Sequence, residues 1–233
     1  TYLYTGNGST QTITNGIDLS TKGGMIWIKS RNNSTYANSP NVLTDSVTGF
    51  SNYLISSQTT QQQSWGADAP SPSTTGFSLA ANSVVPYTNY LTGSTYASWT
   101  FRKQPKFFDV VTWTGNNQNN RQIAHSLGTT PGCIIVKCTS DSSVPWVVWH
   151  RSYSYPYSFQ YLNYTAAVDN TLSNFWGGSN APTSSSFYVS SNTSYGELNG
   201  NNYTYVAYIF AHNAGGFGTA GTDNVISCGS YTG

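Results

Sequence analysis

Short runs of apolar and aromatic residues recur along this chain, and polar, turn-forming residues separate them. Tyr, Thr, Val, Ile, Phe and Trp dominate the runs, whereas Ala, Leu, Glu and Lys in helical spacing are absent, which favours strands over helices. Segments such as TKGG, LGTTPG and AGGFG tolerate positive φ and predict frequent chain reversals. The predicted strands are GMIWIKS (24–30), FSLAA (77–81), TYASWTF (95–101), FFDVVTW (107–113), GCIIVKC (132–138), WVVWH (146–150), FQYLNY (159–164), FYVSS (187–191), YTYVAYIFA (203–211) and NVISC (224–228). The pattern therefore predicts an all-β protein.

The pattern occurs twice, at an offset of about 110 residues. YTGN (4–7) returns as WTGN (113–116), GMIWIKS returns as GCIIVKC, and TYASWTF returns as TYVAYIF. A unit of this size can bury a core of its own. The sequence therefore predicts two tandem antiparallel β-sandwich units of jelly-roll type, residues 1–109 and 110–230. Residues 231–233, YTG, are then the start of a third copy.

Composition narrows the classes of partner. Only 7% of the residues are charged and the formal net charge is +1, so no basic face is available to neutralise a run of phosphates. No window approaches the roughly 20 apolar residues of a membrane helix. Aromatic residues make up 15% of the chain, which is ample apolar area for a folded core. We therefore expect neither nucleic acid nor membrane as a partner.

The three cysteines are expected to be reduced. Cys133 and Cys138 lie five positions apart in one predicted strand, which places them on opposite faces, and Cys228 is distant in the sequence. Either of the first two could still pair with Cys228. The odd number and the apolar neighbours favour buried thiols in a chain that folds in a reducing cytoplasm.

No pattern indicates catalysis or a cofactor. The acidic residues do not form a local pair of the kind that glycoside hydrolysis requires, the three histidines are not spaced as metal ligands, and no G-x-S-x-G occurs. We therefore predict no catalytic residue, no metal site, no cofactor and no enzymatic activity. A polysaccharide depolymerase, whose two acids would meet only in the fold, is the enzymatic alternative.

Tyrosines supply the candidate contact residues. Tyr153, Tyr155 and Tyr157 alternate in RSYSYPYSFQY and would share one face of an extended segment, where they could hold a glycan. The same stripe could instead pack on a neighbouring subunit or on its own sheet. Tyr87 and Tyr90 in VPYTNYLTG form a second candidate, at a predicted hairpin tip.

Four segments carry a family resemblance: YTGNGSTQTITNGIDLSTKGGMIWIKSR, TYASWTFRKQPKFFDVV, HSLGTTPGCIIVK and AGGFGTAGTDNVISCGSYTG. Together they resemble the tandem repeat domain of tailed-bacteriophage virion proteins, especially those of marine cyanophages. The resemblance implies a strand order similar to concanavalin-like or laminin-G-like jelly rolls, and no known active site. The first unit lacks a counterpart of WVVWHRS, so the two units need not bind the same ligand.

The resemblance and the composition lead to one expected function and one alternative to it. The expected function is that of a structural module on the virion surface, in a fibre, a tail appendage or a capsid decoration. Such a module would be assembled in the host cytoplasm and displayed outside the cell, with other virion proteins and further copies of itself as partners. The alternative is a receptor-binding or adhesin module that recognises a host-surface glycan.

Overall fold

The computed structural model describes residues 1–32, 40–81, 88–90, 92–172, 174–178, 180–191 and 197–231. Across these residues the regular elements are β-strands, apart from one 3-10 turn at Gly66–Asp68, so the predicted all-β fold is confirmed. The chain divides into two compact units, which we call the first unit (residues 1–57 and 62–103) and the second unit (residues 58–61 and 104–233).

The first unit contains two antiparallel sheets. Its described strands are β1 (Tyr2–Thr5), β2 (Gln11–Thr14), β3 (Gly24–Ser30), β4 (Val42–Asp45), β5 (Asn52–Ile55), β6 (Gln63–Ser64), β7 (Ser71–Ser73), β8 (Gly76–Leu79) and β9 (Thr95–Arg102). The larger sheet has the order β1-β9-β3-β4-β5-β6, and the smaller has the order β2-β8-β7.

The second unit is built in the same way. Its described strands are β10 (Phe108–Thr114), β11 (Arg121–Ala124), β12 (Cys133–Cys138), β13 (Val147–His150), β14 (Gln160–Tyr161), β15 (Ser186–Val189) and β16 (Thr204–Phe210). The larger sheet has the order β10-β16-β12-β13-β14, and β11 pairs with β15 in the smaller one. In their order across the sheets, these strands match β1-β9-β3-β4-β5 and β2-β8 of the first unit, and β6 and β7 have no counterpart among the described strands.

Each unit has a core that joins its two sheets. Successive side chains of a strand point to opposite faces, so Ile26 and Ile28 of β3 share one core with Phe77 of β8. In the second unit Ile134 of β12 shares a core with Phe187 of β15. Alternate residues of the larger sheet thus pack against the smaller sheet, which is the arrangement of a two-layer sandwich.

The cysteines follow the predicted alternation. Cys138 is buried in the core of the second unit, Cys133 lies on the other face of β12, and all three cysteines are free thiols. One other expectation is wrong. The predicted strand 224–228 is irregular, because only an isolated bridge between Phe217 and Asp223 forms in that region. The compact units divide after Lys103, so the whole of β10, which pairs with β16, lies in the second unit.

Candidate functional site

The tyrosine stripe predicted at 153–157 does not form. Residues 151–158 make turns instead of a strand, so the alternation that would place the three rings on one face is lost. Tyr155 packs against the core, with its ring 6.0 Å from that of Trp149, and its hydroxyl donates to the carbonyl of Trp176 at 2.6 Å. Tyr155 therefore packs within its own unit, which was the alternative to glycan contact.

The other tyrosine candidates are dispersed. The Tyr153 hydroxyl donates to Gln160 Oε1 at 2.8 Å, whereas Tyr157 is 45% exposed. Tyr90 is partly exposed and lies in an irregular segment, and Tyr87 lies outside the described residues. Within the second unit, Tyr153, Tyr155 and Tyr157 therefore do not form one platform.

Loops at one end of the second unit instead form a cleft of about 380 Å³, which we call the end cleft. One wall is the segment before β12 and another is the segment before β15, while the ends of β13 and β16 complete it. Loop ends of a sandwich are common places for binding sites, because a rigid scaffold holds them. The lining residues are Thr129, Thr130, Pro131, Trp149, Arg151, Ala181, Pro182 and His212.

Gly132 allows these segments to approach one another. A Cβ atom at this position would lie 2.6 Å from the Cβ of His212 and 2.9 Å from Sγ of Cys228. Its N–H donates to the carbonyl of Phe210 at 2.8 Å, and its carbonyl accepts from Arg151 N at 2.9 Å. The glycine therefore ties the start of β12 to the residues that follow β13 and β16.

Trp149 is a buried wall of the end cleft with an unused donor. The side chain is 5% exposed, and its indole Nε1 has no hydrogen-bond partner among the described residues. By contrast, Nε1 of Trp113 donates to the carbonyl of Leu198 at 3.0 Å. A buried donor without an acceptor costs about 1–3 kcal/mol.

Three basic groups cluster near the end cleft. Arg151 is exposed, and only its backbone N–H is hydrogen-bonded to the described residues. Burial lowers the pKa of His150, and its interactions with Arg151 and His212 lower it further, so Arg151 is the group that carries the positive charge here. None of the residues that line the end cleft is acidic. The local charge therefore favours an anion.

The cysteines beside the end cleft are poor nucleophiles. Burial raises the pKa of the Cys133 thiol to about 12, and the neighbouring Cys228 adds to that effect. Burial also raises the pKa of Cys228, although Arg151 opposes the shift. Since the thiolate is the reactive form, neither residue is activated at neutral pH.

Two buried carboxylates, those of Asp45 and Asp109, hold backbone groups of the fold. Asp45 accepts from the backbone N–H groups of Val47 and Thr48, both at 2.8 Å, and so closes the turn after β4. Asp109 accepts from the N–H of Ser126 at 2.6 Å. Over the described part of the chain, no cluster of His, Cys, Asp and Glu side chains could hold a metal ion.

The first unit has a different surface feature, a groove of about 310 Å³ on its larger sheet. Trp27 and Trp99 are cross-strand partners with ring centroids 6.1 Å apart, and Phe101, Lys29 and Asn41 complete the lining. Sequence reasoning missed this groove, although the alternation of Trp27 with the core residues Ile26 and Ile28 was a usable signal.

The end cleft was harder to foresee, because its residues come from four separate segments. The only hint was that WVVWHRS has no counterpart in the first unit.

Comparisons with known proteins identify the family. Residues 1–229 match the model of the family described as Domain of unknown function (DUF7483), so the chain belongs to that family, and the match extends over both units. No curated protein and no solved structure matches the chain. Within the described residues, none of the helices has the length and apolar character that a membrane span requires.

Proposed function

We propose that the protein is a non-enzymatic structural module of a virion surface, in a fibre, a tail appendage or a capsid decoration. The observation that carries the proposal is the pair of sandwiches with corresponding strand order, each with its own core. Units that close their own cores can be added in series without exposing new apolar surface, which suits a spacer. We assign the module to a virion because its sequence resembles the tandem repeats of phage virion proteins.

Surface chemistry supports the same role. With 7% charged residues, little of the surface titrates or is screened, so the fold should tolerate the changes of salt and pH met outside a cell. Two buried carboxylates, Asp45 and Asp109, are occupied by hydrogen bonds from backbone N–H groups. This arrangement favours a structural protein over a glycan-cleaving enzyme.

A homo-oligomer is part of this proposal. Strand β1 is at one edge of its sheet, and Tyr2 and Leu3 on it are 37% and 58% exposed. Exposed strand edges are surfaces on which further strands can pair. Sedimentation equilibrium of the protein should therefore show self-association, and the Leu3→Lys variant should weaken it.

Immunogold electron microscopy of phage particles that encode this chain tests the virion role. An antibody raised against residues 1–233 should label the capsid or a shaft, and antibody pre-absorbed with the recombinant protein is the control. Label confined to a fibre end would favour recognition over spacing. Particles without label would overturn the virion proposal.

Glycan recognition is a second candidate function, and the end cleft favours it. The end cleft combines an indole wall, two threonine hydroxyls and prolines at a loop end, which are groups that bind the polar and apolar faces of a sugar. A spacer alone has no need of such a cleft. Isothermal titration calorimetry with neutral and acidic oligosaccharides tests this candidate independently of the particle.

A further inference from the structure

We propose that the end cleft binds an acidic sugar, a pyranose ring that carries a carboxylate, with Arg151 as the group that receives the carboxylate. This inference rests on the glycan-recognition candidate and names its ligand class and its site. It does not depend on where the protein is displayed.

The charge of the end cleft supports an anionic ligand. The Arg151 side chain lines it and makes no ion pair with a described residue, so its guanidinium is available. A guanidinium presents a planar fork that matches a carboxylate with two parallel hydrogen bonds. The His212 ring lines the same cleft, and none of the lining residues is acidic.

The uncharged lining supports a sugar rather than a bare anion. The hydroxyls of Thr129 and Thr130 line the end cleft and are without a hydrogen-bond partner among the described residues. Pro131 and Pro182 add apolar surface beside them. Ring hydroxyls could bind the polar groups, while the C–H face of a sugar packs on the prolines.

The first unit has hydroxyl residues at the positions that match Trp149 and Arg151. Hydrogen bonds within the first unit already occupy those hydroxyls. Thr44 occupies the register of Trp149, since it pairs with Ile26 as Trp149 pairs with Ile134. Its hydroxyl donates to the carbonyl of Asn52 at 2.8 Å. Ser46 stands where Arg151 stands, and its Oγ accepts from Gly24 N at 2.9 Å. The first unit is therefore an internal comparison without the site.

The test is a titration of the full chain with three probes: a galacturonic acid oligosaccharide, the neutral galactose oligosaccharide of the same length and inorganic phosphate. Calorimetry gives the affinity, and NMR follows the Trp149 indole N–H and the rings of His150 and His212. We expect the acidic oligosaccharide to bind and to shift these resonances. Arg151→Gln should weaken binding about tenfold or more, since a charge-assisted bidentate contact is lost.

Arg31→Gln is the matched control, because Arg31 is also exposed but belongs to the first unit. It should leave the affinity unchanged, and an equal loss in both variants would overturn the assignment to the end cleft. If the neutral oligosaccharide binds as well as the acidic one, carboxylate recognition is wrong while the glycan candidate stands. If phosphate alone produces the same shifts and affinity, the cleft is a general anion site and the proposal fails. Absence of binding by both sugars overturns this proposal and the glycan candidate together.

Discussion

The two units make similar buried polar contacts near their first strands, but they have different residues at the loop ends that form the end cleft in the second unit. In the first unit the Tyr4 hydroxyl donates to the carbonyl of Thr88, and the ring stacks on Tyr96 at 5.0 Å. In the second unit the Trp113 indole donates to the carbonyl of Leu198, and its ring stacks on Tyr205 at 5.2 Å. At the end-cleft positions the first unit has Thr44 and Ser46, whereas the second unit has Trp149 and Arg151. Contacts kept in both units therefore indicate the fold, and contacts found in one unit indicate what that unit does.

A buried asparagine shows how closely the shared contacts agree. Asn89 is fully buried, and its Nδ2 donates to the carbonyl of Ser9 at 2.6 Å. Asn199 is also fully buried, and its Nδ2 donates to the carbonyl of Gln118 at 2.7 Å. Each asparagine also bonds the side chain of a second asparagine, Asn7 or Asn116. These residues tie the loop before the last strand to the loop after the first.

The largest effect should come from removing either asparagine. We expect Asn89→Ala and Asn199→Ala each to cost about 3 kcal/mol or more, because several buried groups lose their partners at once. Urea unfolding of the full chain, followed by tryptophan fluorescence, measures both. Asn41→Ala, at a partly exposed position, is the control with a small effect. A cost below 1 kcal/mol for one asparagine but not for the other would break the equivalence of the units.

The matching lysines of β3 and β12 should differ. Lys137 is fully buried, and its Nζ donates to the carbonyls of Cys138, Asp141 and Val144 at 2.8, 3.3 and 2.7 Å, whereas Lys29 is partly exposed. Lys137→Met should cost about 2 kcal/mol or more, and Lys29→Met less than about 1 kcal/mol. Chemical denaturation of the two variants compares them directly. Equal costs would mean that the three carbonyls find other donors.

Two tryptophans allow a finer comparison. Trp113→Phe and Trp149→Phe remove similar volumes from one core, but only the Trp113 indole N–H has a described acceptor. Trp113→Phe should therefore be the more destabilising by about 1 kcal/mol. The difference between their free energies of unfolding is the quantity to measure. The opposite order would show that Trp149 Nε1 is satisfied, and would weaken the case for the end cleft.

The last comparison is a pH dependence from Lys137. Burial lowers its pKa from 10.5 to about 8, so between these values the unfolded chain binds more protons than the folded one. Stability should therefore gain a contribution as the pH rises from about 8, and this contribution is absent below the folded pKa. Wild type and Lys137→Met, compared at about pH 7 and about pH 9, should differ in slope. Parallel slopes would show that Lys137 keeps its ordinary pKa.

Local patterns predicted the regular elements well and the irregular segments poorly. Strand 24–30 was predicted with its observed bounds, and most others were displaced by only one or two residues. The strands β1, β2, β4, β6, β7 and β11 were missed because a run of two to four residues is too short to show a clear period. The tyrosine stripe failed because residues 151–158 turn, which lets Tyr155 reach the carbonyl of Trp176.

What could be known from the residues alone was the β character, the alternation of faces and the internal repetition, because each depends on neighbours along the chain. The end cleft depended on folding, since Gly132, Trp149, Pro182 and His212 are brought together by strand pairing and by loops whose paths no local pattern specifies. The same holds for the lysines, because identical residues at matching positions acquire different burial and hydrogen bonds. The burial of a side chain and its hydrogen-bond partners are set only when the chain packs. In these two properties the two units differ, although their sequences are similar.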